Sequence, residues 1–172
     1  MRPKAVHAGW RRLTAKRLQA ALAGNVCILG VGNRLRGDDG AGSWLIARLA
    51  GKTGALCIDG GVAPENFAEH IVRLRPDVVL LVDAADFGGR PGELRLFEAG
   101  QIQGGGFSSH APSLAMLCQY WTAAARIRVV GLGIQPRQAE AGSGLSRPVA
   151  KTLNTLAALL SGMLAPPRGS TS

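Results

Sequence analysis

The amino-acid sequence predicts an α/β protein with a largely parallel sheet covered by helices on both sides. Apolar strand-like runs alternate with helix-like segments in the order α-β-α-β-α-β-β-α-β-α, and this alternation is typical of parallel βα units. The run Val78–Val82 is apolar at every position, as in a central strand that is buried on both faces. With 172 residues, of which 47% are hydrophobic, the chain can form one domain with a sizeable core.

The first half of the chain contains five predicted elements. Glycines follow the first two helices, and a proline with a neighbouring glutamate marks the start of the third. In chain order the elements are a helix from Thr14 to about Leu22, a strand at Val26–Val31, a helix at Ser43–Leu49, a short strand at Ala55–Ile58 that ends in Asp59, and a helix from Pro64 to about Leu74.

The second half continues the pattern with one exposed strand. Alternating leucines at Glu93–Glu98 favour a strand at the edge of the sheet. The predicted elements are the strand Val78–Val82, this edge strand, a glycine-rich loop at Gln101–Ser109, a helix from Pro112 to about Ala125 with Ser109 near its cap, a strand at Ile127–Leu132, a loop from Gly133 to Gly144, and a final helix from Pro148 to about Leu164 capped by Ser146.

Positive charge is concentrated at the N-terminus. Residues 1–24 contain six basic residues and no acidic residue, which accounts for +6 of the net charge of +9. We therefore divide the chain into a basic N-terminal arm at 1–24, a single α/β domain at 25–164 and a disordered tail at 165–172. A solvated helix face is the favoured explanation of the arm, and contact with nucleic acid or an anionic surface is the alternative. We expect no nucleic-acid partner, and we expect a monomer.

The cysteines and the apolar runs indicate a cytoplasmic protein. Cys27, Cys57 and Cys118 lie in strand-like or helical patterns without a CxxC pair, so reduced, buried thiols are expected and a structural zinc site is not. No apolar run approaches the length of a membrane span. The basic N-terminus is not followed by an apolar signal core.

The stretch CILGVGNRLRGDDGAG, Cys27–Gly42, organises the rest of the sequence. It passes from a buried strand into a loop with five glycines, and the loop places Asp38 and Asp39 just before a helix. In an open α/β sheet, ligands bind where a strand ends and a helix begins. Paired carboxylates at this point suit a cation.

The same stretch matches neither of two common phosphate-binding motifs. The glycines at 30, 32 and 37 give GxGxxxxG, which lacks the spacing of a dinucleotide fingerprint. The spacing from Gly32 to Gly37 matches a phosphate loop, but Asp38 and Asp39 stand where Lys and Ser or Thr would be required. These carboxylates would repel a phosphate.

Further acidic and imidazole groups follow other predicted strands or precede helices. Asp59 ends the second strand, Asp83 ends the third, and His110 comes just before a helix. Because the carboxyl ends of parallel strands share one edge, these groups can converge with Asp39 there. Two carboxylates and an imidazole form an O/O/N set that suits a divalent transition metal with open positions, which metal-assisted hydrolysis requires.

Each candidate also has a structural explanation. Asp39 could cap the next helix, and Asp59 could make a turn. His110 lies among serines and small residues, so a hydrogen-bonded structural histidine is as reasonable as a ligand. Asp83 is harder to explain in this way, because a carboxylate at the end of a buried strand needs a partner.

An ordered set of motifs resembles the hydrogenase maturation endopeptidases over about residues 25–164. It is most similar to the branch that processes large subunits of formate-hydrogenlyase-type and related energy-converting hydrogenases. Any one motif is weak, but the ordered set is highly specific. The motifs are GVGNRLRGDDGAG (30–42), IDGGVAPENF (58–67), LRPDVVLLVDAADFGGRPGE (74–93), SSHAPSL (108–114), GLGIQP (131–136) and LSRPV (145–149).

The resemblance implies a fold, an activity and a site. The fold would be a three-layer αβα sandwich with a mostly parallel sheet, phosphorylase/hydrolase-like, and residues 25–164 would be the protease domain. The activity would be removal of a C-terminal peptide from a [NiFe]-hydrogenase large-subunit precursor after nickel insertion, by an aspartic-type or metal-assisted endopeptidase. Nickel would arrive in the precursor and be met by Asp39, Asp83 and His110. The acid of the DGG motif, Asp59, matches a position linked to activity.

Two other functions compete with this one. The first is a non-catalytic maturation factor that binds nickel or the large subunit, and it would leave the mass of the precursor unchanged. The second is a nucleic-acid-binding protein acting through the basic arm, whose affinity would fall steeply with salt. No Ser/His/Asp or Cys/His signature is present, and the sequence shows no nucleophile that would act with His110.

Overall fold

Five strands form one sheet in the order β2-β1-β3-β5-β4. The structure is a computed structural model that describes residues 15–104 and 110–165. Four strands are parallel, and β4 pairs antiparallel with β5. The strand β4 lies at one edge of the sheet, which confirms the predicted edge strand. The strands are β1 (Val26–Val31), β2 (Leu56–Gly61), β3 (Val78–Ala84), β4 (Leu94–Glu98) and β5 (Arg128–Ile134).

Helices cover both faces of this sheet, which confirms the predicted three-layer αβα sandwich. On one face lie α1, described over residues 15–21, with α2 (Ala41–Leu49) and α6 (Arg147–Met163). On the other face lie α3 (Ala68–Leu74), α4 (Ala99–Gln103) and α5 (Ala111–Ala123). Short 3₁₀ turns at Gly37–Gly40 and Pro64–Phe67 lead into α2 and α3.

The central strand β3 shows how the two cores are divided. Its even-numbered residues Val78, Leu80 and Val82 pack with α2 and α6, while the odd-numbered residues face the layer of α3 and α5. This is the two-residue period of a strand buried on both faces. Asp83 continues the odd-numbered series, so the sheet directs its side chain toward the α5 layer.

Glycines let α2 approach the sheet more closely than a side chain would permit. A Cβ at Gly42 would collide with the carbonyl oxygens of Val31 and Val82, and a Cβ at Gly30 would collide with the carbonyl of Gly42. The first turn of α2 therefore rests directly on the backbones of β1 and β3. This contact fixes the loop that carries Asp38 and Asp39 against the carboxyl edge of the sheet.

The described part of the predicted N-terminal arm contributes to the core. Within α1 and the residue after it, Leu18, Ala21 and Leu22 are buried in the cluster shared with α2 and α6. The charge pattern placed these residues in an arm, but their burial places them in the domain. Residues 1–14, with Thr14, and residues 166–172 of the predicted tail lie outside the described residues.

Several element boundaries differ from those predicted. The strands β2, β3 and β5 run two or three residues further than expected and take in Asp59, Asp83 and Gly133. The helix α4 occupies the start of the predicted glycine-rich loop at Gln101–Ser109, because Glu98 and Gln101 form a reciprocal capping box. Ser109 itself lies outside the described residues.

Within residues 15–104 and 110–165, none of the helices has the length and hydropathy needed to span a membrane.

Candidate functional site

The structure brings His110 and Asp83 together at the carboxyl edge of the sheet. His110 occupies the N-cap position of α5, and its Nδ1 lies 3.2 Å from Oδ2 of Asp83. Asp83 is fully buried, and its other oxygen accepts the amide of Ala84 at 2.8 Å. The predicted convergence of these two residues is confirmed, and the buried carboxylate has the partner that its position demands.

Asp39 lies on the 3₁₀ turn that follows β1 and is half-buried. Its Oδ2 accepts the backbone amide of Asn33 at 3.1 Å. The N-cap of α2 is Gly40, so the alternative role of Asp39 as the cap of that helix is not what the structure shows. The carboxylate is instead held by the loop between β1 and the turn.

Electrostatics link Asp39 to the imidazole. The hydrogen bond to the Asp83 carboxylate is the largest influence on His110 and raises its pKa, while partial burial lowers it. The negative charges of Asp83, Asp39 and Glu65 raise the His110 pKa further. The imidazole therefore lies within the field of three carboxylates and favours its protonated form more than an exposed histidine does.

Asp38 has a structural role that the sequence did not reveal. It is fully buried, and its oxygens accept the amide and hydroxyl of Ser146 at 2.8 and 2.7 Å and the amides of Arg137 and Gln138 at 2.9 and 3.2 Å. The Ser146 hydroxyl thus bonds Asp38 and makes no cap bond to α6, although Ser146 is the N-cap residue. Asp38 thereby ties the loop after β1 to the loop after β5.

Asp59 lies at the same edge but bonds a different set of groups. Its Oδ2 pairs with Arg34 Nη2 at 2.7 Å, and its Oδ1 accepts the Ser43 hydroxyl at 2.6 Å and the Gly61 amide at 3.2 Å. Asp59 and Gly61 both belong to β2, so Asp59 lies in the strand and not in the turn that was its alternative role. Asp59 is not among the carboxylates that raise the His110 pKa.

The loop that follows β3 is organised by Gln135, which belongs to the GLGIQP motif at 131–136. The buried Gln135 amide accepts the backbone amides of Phe87 and Gly89, both at 3.0 Å, and donates to Asp86 at 3.0 Å. These bonds hold residues 86–89 beside the end of β3. The donors lie almost 50 residues before Gln135, so no local pattern could have indicated them.

The ligand set of Asp39, Asp83 and His110 is not assembled into a closed metal site. Across the two described ranges, no three His, Cys, Asp or Glu side chains are grouped closely enough to hold a metal ion. The donor types nevertheless fit a divalent transition metal with open positions. Metal binding by these residues stays a prediction.

Sequence comparisons identify relatives over most of the domain. The family model of the HycI hydrogenase maturation protease matches residues 44–162. The hydrogenase 3 maturation protease of Escherichia coli K12 is 47% identical over 77 residues, which are 44% of this chain and 49% of that protein. This aligned region therefore spans about half the length of the curated relative.

Solved structures match the fold over nearly their full length. The [NiFe] hydrogenase maturation protease HycI from Thermococcus kodakarensis KOD1 has a TM-score of 0.79 and 28% identity, covering 86% of this chain and 98% of that chain. The solution structure of the endopeptidase HycI from Escherichia coli has a TM-score of 0.72 and 32% identity, covering 84% and 99%. With the family model matching more than half of its residues, this chain belongs to the hydrogenase maturation protease family.

Proposed function

We propose that this protein is an endopeptidase that removes the C-terminal extension of a [NiFe]-hydrogenase large-subunit precursor after nickel insertion. The observation that carries the proposal is the His110–Asp83 pair, with the charge of Asp39 acting on the same imidazole, in a member of this family. The names of the E. coli and T. kodakarensis relatives support the same substrate class.

Nickel enters this reaction as part of the substrate. Asp39 and Asp83 would supply carboxylate oxygens, and His110 would supply a ring nitrogen. Thiolates of the precursor would hold the metal more firmly, because soft sulfur ligands suit nickel. Nickel held between the two proteins would polarise the scissile carbonyl or a water molecule.

The open arrangement of the three residues supports nickel carried by the precursor over nickel resident in the enzyme. Without a group of three potential ligands in the described residues, the enzyme alone would bind the metal weakly. Cleavage would then proceed only on a precursor that already contains nickel. An empty precursor would not be processed.

The test compares nickel-loaded with nickel-free precursor, each incubated with chelator-treated enzyme and measured by mass spectrometry. We expect loss of the C-terminal peptide only from the loaded precursor. Equal cleavage of both would reject the nickel requirement, and binding without any change of mass would identify a non-catalytic maturation factor. Cleavage of neither until free metal is added to the enzyme would indicate an ordinary metalloprotease.

We further propose a cytoplasmic, monomeric enzyme. All three cysteines are free thiols, and burial raises the pKa of each, to about 12 for Cys27, which suits a reducing compartment. Size-exclusion chromatography with light scattering tests the oligomeric state, since a monomer has a mass of 17.9 kDa. Cell fractionation tests the location.

A further inference from the structure

The backbone of Asn33 and Arg34 packs directly on Asp39 and Gly40. The Asn33 amide donates to Asp39 Oδ2 at 3.1 Å, and a Cβ at Gly40 would lie only 2.6 Å from Cα of Arg34. Gly32 has a φ of +126°, and a Cβ there would collide with the carbonyl of Asp39. The orientation of the Asp39 carboxylate is therefore coupled to the position of the Asn33–Arg34 backbone.

The side chain of Arg34 anchors that backbone to two other elements. Its Nη2 donates to Asp59 Oδ2 at the end of β2 and to the carbonyl of Ser43 in α2, both at 2.7 Å. Its guanidinium carbon lies 4.8 Å from the centroid of the Trp44 ring. A guanidinium suits this position because its planar face stacks on the indole while its edge donates hydrogen bonds.

Asp59 is the partner of Arg34 on β2, and the two residues together form what we call the bridge. One of its oxygens bonds Arg34, and the other accepts the Ser43 hydroxyl and the Gly61 amide. Both oxygens are thus engaged in contacts that join β2 to α2 and to the loop after β1. The imidazole of His110 responds to Asp39, Asp83 and Glu65 instead.

We propose that Arg34 and Asp59 are positioning residues, which hold the Asn33 amide on the Asp39 carboxylate and so fix the direction in which Asp39 meets the substrate. The expected effect on cleavage rests on the proposed function. The contact between Arg34 and Asp59 is a feature of the structure and does not depend on that function. Asp59 then influences the reaction without touching the nickel or the scissile bond.

The first measurement needs no substrate. NMR-detected hydrogen exchange of the Asn33 amide is compared in the wild type, Asp59→Asn and Arg34→Gln. We expect exchange at Asn33 to rise roughly tenfold in both variants, because its acceptor is no longer held in place. The Gly92 amide, which lies before β4 and bonds the Gln135 carbonyl at 2.8 Å, serves as an internal reference outside these contacts.

The second measurement is the rate of precursor cleavage. We expect kcat to fall about 10- to 100-fold in each variant, with KM little changed, because a displaced group loses its reactive geometry. The double variant should lose little more than the worse single variant, since both changes break the same bridge. Asp59→Glu, which keeps the carboxylate, should retain more activity than Asp59→Asn.

Asp77→Asn is the matched control. Asp77 is an exposed carboxylate that accepts the backbone amide of Asn25 at 2.7 Å, just before β3 and so at the opposite edge of the sheet. The Asp77→Asn variant should leave kcat and the hydrogen-exchange rate of the Asn33 amide unchanged.

The possible outcomes separate the bridge from the activity. Loss of cleavage in Asp59→Asn with Asn33 exchange unaltered would overturn the inference and place Asp59 at the substrate, and additive losses in the double variant would do the same. Normal cleavage in both single variants would also overturn it. If the wild-type protein cleaves no precursor, the proposed function fails, while Asn33 exchange still tests the bridge.

Discussion

At the scale of single residues, the contact between His110 and Asp83 sets the behaviour of the imidazole. The hydrogen bond to the Asp83 carboxylate is the largest cause of the raised His110 pKa. We predict that Asp83→Asn lowers this pKa, because the variant removes both the charged hydrogen bond and a neighbouring negative charge. NMR titration of the His110 ring protons measures the shift. Glu65→Gln should lower the His110 pKa less. An equal effect of both variants would contradict the conclusion that Asp83 is the main cause of the shift.

The same shift predicts how stability depends on pH. The folded pKa of His110 lies above its unfolded value of about 6.5, so protonated His110 stabilises the fold fully below that value. The contribution is lost as the pH rises through the folded pKa. We predict that the difference in unfolding free energy between the wild type and His110→Gln is largest below the unfolded pKa and shrinks at higher pH. Urea denaturation across this range measures it, and a difference that grows with pH would refute the sign.

Substitutions of the proposed ligands should separate activity from folding. We predict that Asp39→Asn or His110→Ala abolishes cleavage while the circular dichroism spectrum and the cooperative unfolding transition are retained. Among the described residues, the Asp39 side chain accepts one hydrogen bond, from the Asn33 amide, and the Asp39 and His110 side chains lie outside the apolar clusters. Unfolding of both variants would instead indicate structural roles.

The sequence could predict some of these residues and not others. Asp83 and His110 were found because the carboxyl ends of parallel strands share one edge, which is a consequence of topology. The role of Asp38 could not be found, because its donors lie about 100 residues later in the chain. The pairing of Arg34 with Asp59 across 25 residues was missed for the same reason.

At the scale of elements, Asp38 joins the turn before α2 to the start of α6. We predict that Asp38→Ala lowers the unfolding free energy by at least about 3 kcal/mol, because it leaves two buried donors of Ser146 and two part-buried backbone amides without their acceptor. Ser146→Ala, which removes one of these donors, should cost about 1–2 kcal/mol. Chemical denaturation gives both values. Equal costs for the two variants would show that the backbone donors find other acceptors.

The elements themselves followed local patterns where those patterns were strong. The apolar runs of β1 and β3 were predicted at their observed starts, and α2, α5 and α6 to within a few residues. The helix α4 was missed, since its capping box has glutamate at the N-cap position in place of the usual serine or threonine. The ends of β2, β3 and β5 were missed because glycine and aspartate, which rarely continue strands, are held there by neighbouring strands.

At the scale of the whole molecule, the N-terminal segment contributes to stability through its second half. We predict that deletion of residues 1–24 lowers the unfolding free energy by at least about 3 kcal/mol, because it removes the buried side chains of Leu18 and Leu22. In the full chain, the double substitution Leu18→Ala/Leu22→Ala removes most of the same buried apolar surface and should also lower the unfolding free energy strongly. Thermal and chemical denaturation measure both variants, and wild-type stability of either would contradict the packing of α1.

The strand order β2-β1-β3-β5-β4 has a further consequence for the position of the site. From β1 the chain moves outward to β2, and from β3 it moves outward in the other direction, so the loops that leave these adjacent strands diverge. Such a topological switch point opens a crevice above the carboxyl ends of the two strands, whatever side chains line it. Asp39 follows one of these strands and Asp83 ends the other. The place of Asp39 and Asp83 beside this switch point is thus a property of the strand order, which would stay the same if the side chains there were exchanged.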